Sequence, residues 1–133
     1  MKKMNISNLS KKNFSYLSDG EKQISLIARA LIKKPQILIL DEPIANLDYK
    51  SKFLVIDKIN ELSKLNTKIL CITHDISMIS TIYDRVIMLK DGEIIADGCQ
   101  KKVLNSANIN KLYGIDVDVI KKNGFWTINR ISK

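Results

Sequence analysis

Arginine is scarce in this 133-residue chain: 3 of its 22 basic residues are Arg and 19 are Lys. The planar guanidinium fork is the usual reader of guanine, so this ratio argues against a sequence-specific nucleic-acid binder. Cysteine and histidine are scarcer still. With only Cys71, Cys99 and His74, and no paired ligand spacing, a structural zinc site is excluded. Cys71 lies in the apolar run Ile69–Ile72 and reads as a small buried hydrophobe. The glycines stand at 20, 92, 98, 114 and 124, and none of them makes a G-x-x-x-x-G-K-[ST] loop, so the chain carries no phosphate cradle of that kind. Long apolar runs are lacking too: no window approaches the roughly 18 residues of a membrane span, and Met1-Lys2-Lys3-Met4-Asn5 leads into polar residues rather than a signal core. A cytoplasmic chain is expected.

What is present is a globular composition, 45% hydrophobic and 27% charged. The length suits one ordinary domain or part of a larger one and argues against two independent cores. The formal charge, 22 − 14 = +8, favours a polyanion, an anionic membrane surface or an acidic partner without choosing among them. Lysines spread over every surface more commonly serve solubility alone.

Residues 1–17 are too short and polar to stand alone and read as the tail of something missing. Ser18-Asp19-Gly20-Glu21 is a capping box, followed by Ile24, Ile27, Ala28 and Leu31 on one face of a helix that runs to about Lys33 and stops at Pro35. Ile37–Leu40 is an unbroken apolar run ending in Asp41-Glu42-Pro43, which predicts a parallel strand buried on both faces. A second helix at about 49–65 follows, with Val55, Ile56, Ile59 and Leu62 inward. The run Ile69–Ile72 then ends in Thr73-His74-Asp75, a short helix is predicted from Ile76 to about Tyr83, and a third run spans Val86–Leu89. This alternation predicts a parallel α/β sheet with right-handed crossovers, whose functional groups gather at the carboxyl ends of its strands. Asp91-Gly92 and Asn123-Gly124 are hairpin signals, with short helical segments at 101–104 and 108–113 between them.

Three groups could carry chemistry. Asp41 and Glu42 at a strand end suit a metal ligand and a water-polarising base, although two acids after a strand are often only a solvated loop start. A lone histidine is usually structural, but His74 would stand at the same sheet edge and could bond a terminal phosphate. Ser18–Glu21 opens a helix, where free N–H groups favour an anion, while Asp19 puts a negative charge in the way and a capping box need do nothing but cap.

Considered together, Leu17–Glu21, Ile27–Leu31, Pro35, Ile37–Pro43, Asn46–Asp48 and Thr73–Asp75 resemble, in order and spacing, the C-terminal half of an ABC transporter ATPase, over about residues 14–98. The resemblance implies a partial P-loop-NTPase-like α/β fold with a small C-terminal α+β extension. It makes Leu17–Glu21 the signature, Ile37–Glu42 the Walker B strand, Asn46–Asp48 the D-loop and His74 the switch histidine. Asp41 would then serve Mg²⁺, Glu42 and His74 catalysis, and Ser18, Gly20 and Asp48 a bound ATP, with Ser18 and Gly20 reaching the γ-phosphate held by an opposite subunit. The pattern departs at Asp19, where Gly is usual, at Ile24, where Arg is common, and at Ile44-Ala45.

The organisation implied is 1–17 a remnant of a helical subdomain, 18–98 the C-terminal part of the ATPase domain and 99–133 an extension. The tail, Val103-Leu104, Asn108-Ile109 and Leu112–Ile120, resembles ATPases of iron–siderophore, haem or cobalamin importers. Implied partners are a second ATPase subunit or the absent N-terminal half, and a membrane permease, with the chain peripheral at the inner face of the membrane and no nucleic acid. Two other readings stand beside this one: a non-catalytic module docking on a complete ATPase or permease, and a DNA-repair ATPase fragment whose +8 charge meets DNA. The expectation for the chain alone is poor ATP binding and an exposed apolar sheet edge or helix face.

Overall fold

A computed structural model describes residues 11–131 apart from Asn66 and Thr81. Most of the expected subdomain remnant therefore lies outside the described residues. Where length alone argues for one core, the chain forms two compact units that divide between His74 and Asp75.

The first unit holds α1 (Asp19–Leu31), β1 (Ile37–Asp41), α2 (Tyr49–Ser63) and β2 (Lys68–Ile72). The box that opens α1 forms as the sequence predicts: the Ser18 hydroxyl accepts from the Glu21 amide at 3.3 Å, and the Glu21 carboxylate accepts from the Ser18 amide at 2.9 Å. Lys12 adds an ion pair to Glu21 at 2.9 Å. The Ser18 amide and then Lys12 hold the Glu21 carboxyl below its ordinary value of 4.5. Ser18→Ala is expected to destabilise this unit by about 1 kcal/mol, read by chemical denaturation. Because the folded value is the lower one, the Glu21 half of the box contributes fully above about pH 4.5 and is lost as pH falls through the depressed value, in parent and variant alike, since Ser18→Ala keeps the backbone amide that the carboxylate accepts from.

The strands β1 and β2 are parallel, with Ile37 opposite Lys68 and Asp41 opposite Ile72. Leu38 and Leu40 are buried, as are Ile24 and Ile27 of α1 and Val55, Ile56, Ile59 and Leu62 of α2. The opposite face of the pair is open: Ile37, Ile39, Leu70 and Ile72 are 57%, 62%, 50% and 51% exposed. The expectation of burial on both faces is thus corrected, since among the described residues this sheet has only two strands and nothing covers its second face. The same exposure bears out the open apolar surface expected of the chain alone. Cys71 is half-buried rather than buried, although it lies on the packed face beside Leu40.

The second unit corrects two further expectations. Among the described residues of 76–83 the only helical piece is a single 3-10 turn, Ile76–Met78, because the Asp75 carboxylate accepts from the Ser77 amide and Ile79 turns extended. The third apolar run is β3 (Val86–Lys90), but it lies outside the parallel sheet: it pairs antiparallel with β4 (Glu93–Gly98) through the Asp91-Gly92 turn. A two-residue turn with positive φ at both positions, 51° and 83°, satisfies the β3 backbone locally. Then come α3 (Gln100–Val103), α4 (Ser106–Tyr113) and the β5 (Val117–Lys122)–β6 (Phe125–Arg130) hairpin, closed at Asn123-Gly124 as predicted. Met88, Val103, Leu104, Ile109, Val117 and Trp126 make its core. Gln100 is buried in it with every polar group engaged. Its Nε2 donates to the Ser80 and Tyr83 carbonyls, both at 2.6 Å, while its Oε1 accepts from Trp126 Nε1 at 2.9 Å and Lys121 Nζ at 3.2 Å.

Candidate functional site

The parallel ladder sets the geometry of the first cluster. With Asp41 opposite Ile72, the next residues of both strands, Glu42 and Thr73-His74, leave the sheet side by side, and the Glu42 amide extends the ladder to the Ile72 carbonyl at 2.9 Å. Glu42 then turns sharply, with φ +44°. Its Oε1 accepts from the His74 amide at 3.0 Å and lies 2.7 Å from His74 Nδ1, and its Oε2 accepts from the Thr73 hydroxyl at 3.3 Å. The structure therefore brings Glu42 and His74 into direct contact across 32 residues of sequence.

An ionised carboxylate has no proton to give, so the Nδ1 of His74 must carry the hydrogen of this bond. A neutral ring then presents Nε2 as an acceptor, and His74 donates to a phosphate through Nε2 only as the imidazolium. The hydrogen bond to the His74 ring holds the Glu42 carboxyl below its ordinary value of 4.5, opposed by desolvation and aided by the His74 amide. Three donors occupy three of the roughly four lone-pair sites of the carboxylate, leaving one for a water.

Asp41 is exposed at the end of β1. Among the described residues no three His, Cys, Asp or Glu side chains gather to hold a metal. Mg²⁺ characteristically keeps several waters and takes one or two carboxylates plus substrate phosphates, so a single Asp41 carboxylate fits that donor set only when phosphate completes it.

The second cluster joins α1 and α2, which pack together. Asp48 is the N-cap of α2: its Oδ1 accepts from the Ser51 amide at 3.0 Å and its Oδ2 from the Ser51 hydroxyl at 2.7 Å. These bonds, the hydroxyl first, hold the Asp48 carboxyl below its ordinary 3.8. Ser18 spends an acceptor site on its cap and keeps its O–H as a donor. Asp19, the unwelcome charge at the helix start, is paired with Lys22 at 2.9 Å. Ile24 is core. Sequence reasoning missed Thr73 and Ser51 as partners of Glu42 and Asp48. The spacing Asp48-x-x-Ser51 at a helix start was the available signal for the second, whereas Thr73 depends on strand register.

The fold assembled from these elements is that of an ABC ATPase domain: an ABC transporter solved in an inward-facing conformation superimposes with a TM-score of 0.83 at 24% identity, over 97% of this chain and 54% of that one. The family profile for ABC transporters matches residues 1–45. An uncharacterized ABC transporter ATP-binding protein of Methanocaldococcus jannaschii is 39% identical over 93% of this chain, and the hemin import ATP-binding protein HmuV of Bordetella avium is 32% identical over 90%. The chain belongs to the ABC transporter ATP-binding protein family. It spans about half the length of these curated relatives, 49% of each. No helix among the described residues is long and apolar enough to cross a membrane.

Proposed function

We propose that this chain supplies the signature, Walker B, D-loop and switch-histidine part of an ATP-hydrolysing ABC transporter subunit. The observation that carries the reading is the Glu42–His74 contact at the carboxyl ends of two adjacent parallel strands, the edge where such sheets place their chemistry. Asp41 would ligate Mg²⁺ alongside ATP phosphates. Glu42 would take the proton of the water that attacks the terminal phosphorus, and His74 would bond that phosphate. Ser18, Gly20 and Asp48 would face nucleotide.

The open face of β1 and β2 supports a role as one part of a larger layered fold, because parallel sheets are covered on both faces. The partners proposed are an N-terminal half of the ATPase domain or a second ATPase subunit, and an integral-membrane permease, with the chain peripheral at the inner face of the cell membrane. Residues 18–98 would be the ATPase part and 99–133 an extension. The tail residues Leu112–Ile120 and the likeness to HmuV support an importer of iron–siderophore, haem or cobalamin complexes. The lack of a G-x-x-x-x-G-K-[ST] loop favours a second reading, a non-catalytic module on a complete ATPase or permease.

The test is ATPase assay of the chain alone and joined to an N-terminal half bearing that loop. No turnover alone and turnover when joined is the expected result. Robust turnover by the isolated chain would sink the proposal, and capture of a complete ATPase unaffected by Asp41→Asn would favour the module.

A further inference from the structure

Gly20 lies in the first turn of α1 and is not at positive φ, so the conformational freedom of glycine is not what the position uses. Space explains it. A Cβ at this position would lie 2.8 Å from Ser51 Cβ, 3.0 Å from Ser51 Oγ and 3.2 Å from Ser51 Cα. Ser51 is itself buried, and the same side chain gives its hydroxyl to Asp48. One serine thus touches the first turn of α1 on one side and holds the cap of α2 on the other.

We infer that Ser51 is a positioning residue, which fixes the spacing between the Ser18–Glu21 turn and Asp48 by packing on Gly20 while binding the Asp48 carboxylate. The inference rests on the reading of Ser18, Gly20 and Asp48 as nucleotide-facing groups, and deepens it: two motifs 28 residues apart in the sequence (48 − 20) become one rigid unit, so a displacement at either is delivered to the other. Misplacement of positioning groups on the ångström scale is enough to cost a reaction about 100-fold.

The test uses the whole chain and two readouts, thermal unfolding and the carboxyl carbon resonance of Asp48 followed against pH. Ser51→Ala keeps the packing and removes the hydroxyl, and should raise the Asp48 midpoint toward 3.8. Gly20→Ala should lower the unfolding temperature by about 5 °C and also raise the Asp48 midpoint, although it touches neither Asp48 nor its hydrogen bonds. In a Ser51→Gly background, Gly20→Ala should lose most of its thermal cost and leave Asp48 unmoved. A thermal loss without movement of Asp48 would reduce the contact to packing and overturn the inference, as would equal effects in both backgrounds. Neither readout involves nucleotide, so failure of the ATPase reading would show separately, as intact coupling in a joined protein without turnover.

Discussion

Glu42→Gln is expected to lower the turnover of the joined protein by about 1,000-fold while leaving its KM for ATP within about threefold. Glutamine keeps the shape and an acceptor oxygen for the His74 amide and ring, so the link between the ends of β1 and β2 should survive. What it loses is basicity. In the folded chain the His74 ring and amide and the Thr73 hydroxyl already occupy most of the carboxylate, and the remaining lone pair is the one available to a water. An amide there cannot take the proton, and a step that needs general-base help slows by about 100- to 10,000-fold without it. Steady-state phosphate release at saturating ATP measures the effect. Turnover within about fivefold of the parent would show that the water is activated elsewhere.

Gln100→Leu is expected to destabilise the second unit by about 3 kcal/mol, the largest loss anticipated from any single polar side chain in it. The leucine fits the volume and none of the chemistry. Trp126 Nε1, buried at the centre of the cluster with Val103 and Ile109, would lose its acceptor. Lys121, which lies 5.0 Å from the Trp126 ring centroid, would keep only the ring, and the Ser80 and Tyr83 carbonyls would lose the amide that ties them to α3. Hydrogen exchange measures this: protection should fall in α4, β5 and β6 while α1 and α2 retain theirs. Gln100→Glu, which restores the acceptor without the donor, should recover part of the loss, and an unchanged exchange pattern in Gln100→Leu would contradict the role assigned to this residue.

Local signals were the readable ones. Ser18 with Glu21 marked the start of α1, and Asp91-Gly92 and Asn123-Gly124 marked both hairpins, because each depends on side chains within four residues. The pairing of Glu42 with His74 was legible only as proximity: two strands ending at one edge place the residues near each other, but the bond itself depends on the register that sets Asp41 against Ile72. Periodicity failed at the β1–β2 face. Ile37 and Ile39 are apolar as a buried strand requires, yet nothing among the described residues covers them, and apolarity alone does not place a layer over a strand. The third run misled for a related reason, since Val86–Leu89 has the composition of a parallel strand and the tight turn after it directs its ladder to β4 instead. Ser51 escaped notice because a serine on an amphipathic helix looks like solvent-facing filler, and only the approach of Gly20 reveals its burial.

Five non-glycine residues among those described adopt positive φ, and three of them, Asn46, Asp91 and Asn123, are the short polar types that tolerate it. Glu42 does not belong to that company. A long side chain on such a backbone holds strain that Glu42→Gly would relieve, at the cost of the bonds to Thr73 and His74 that tie the ends of β1 and β2 together.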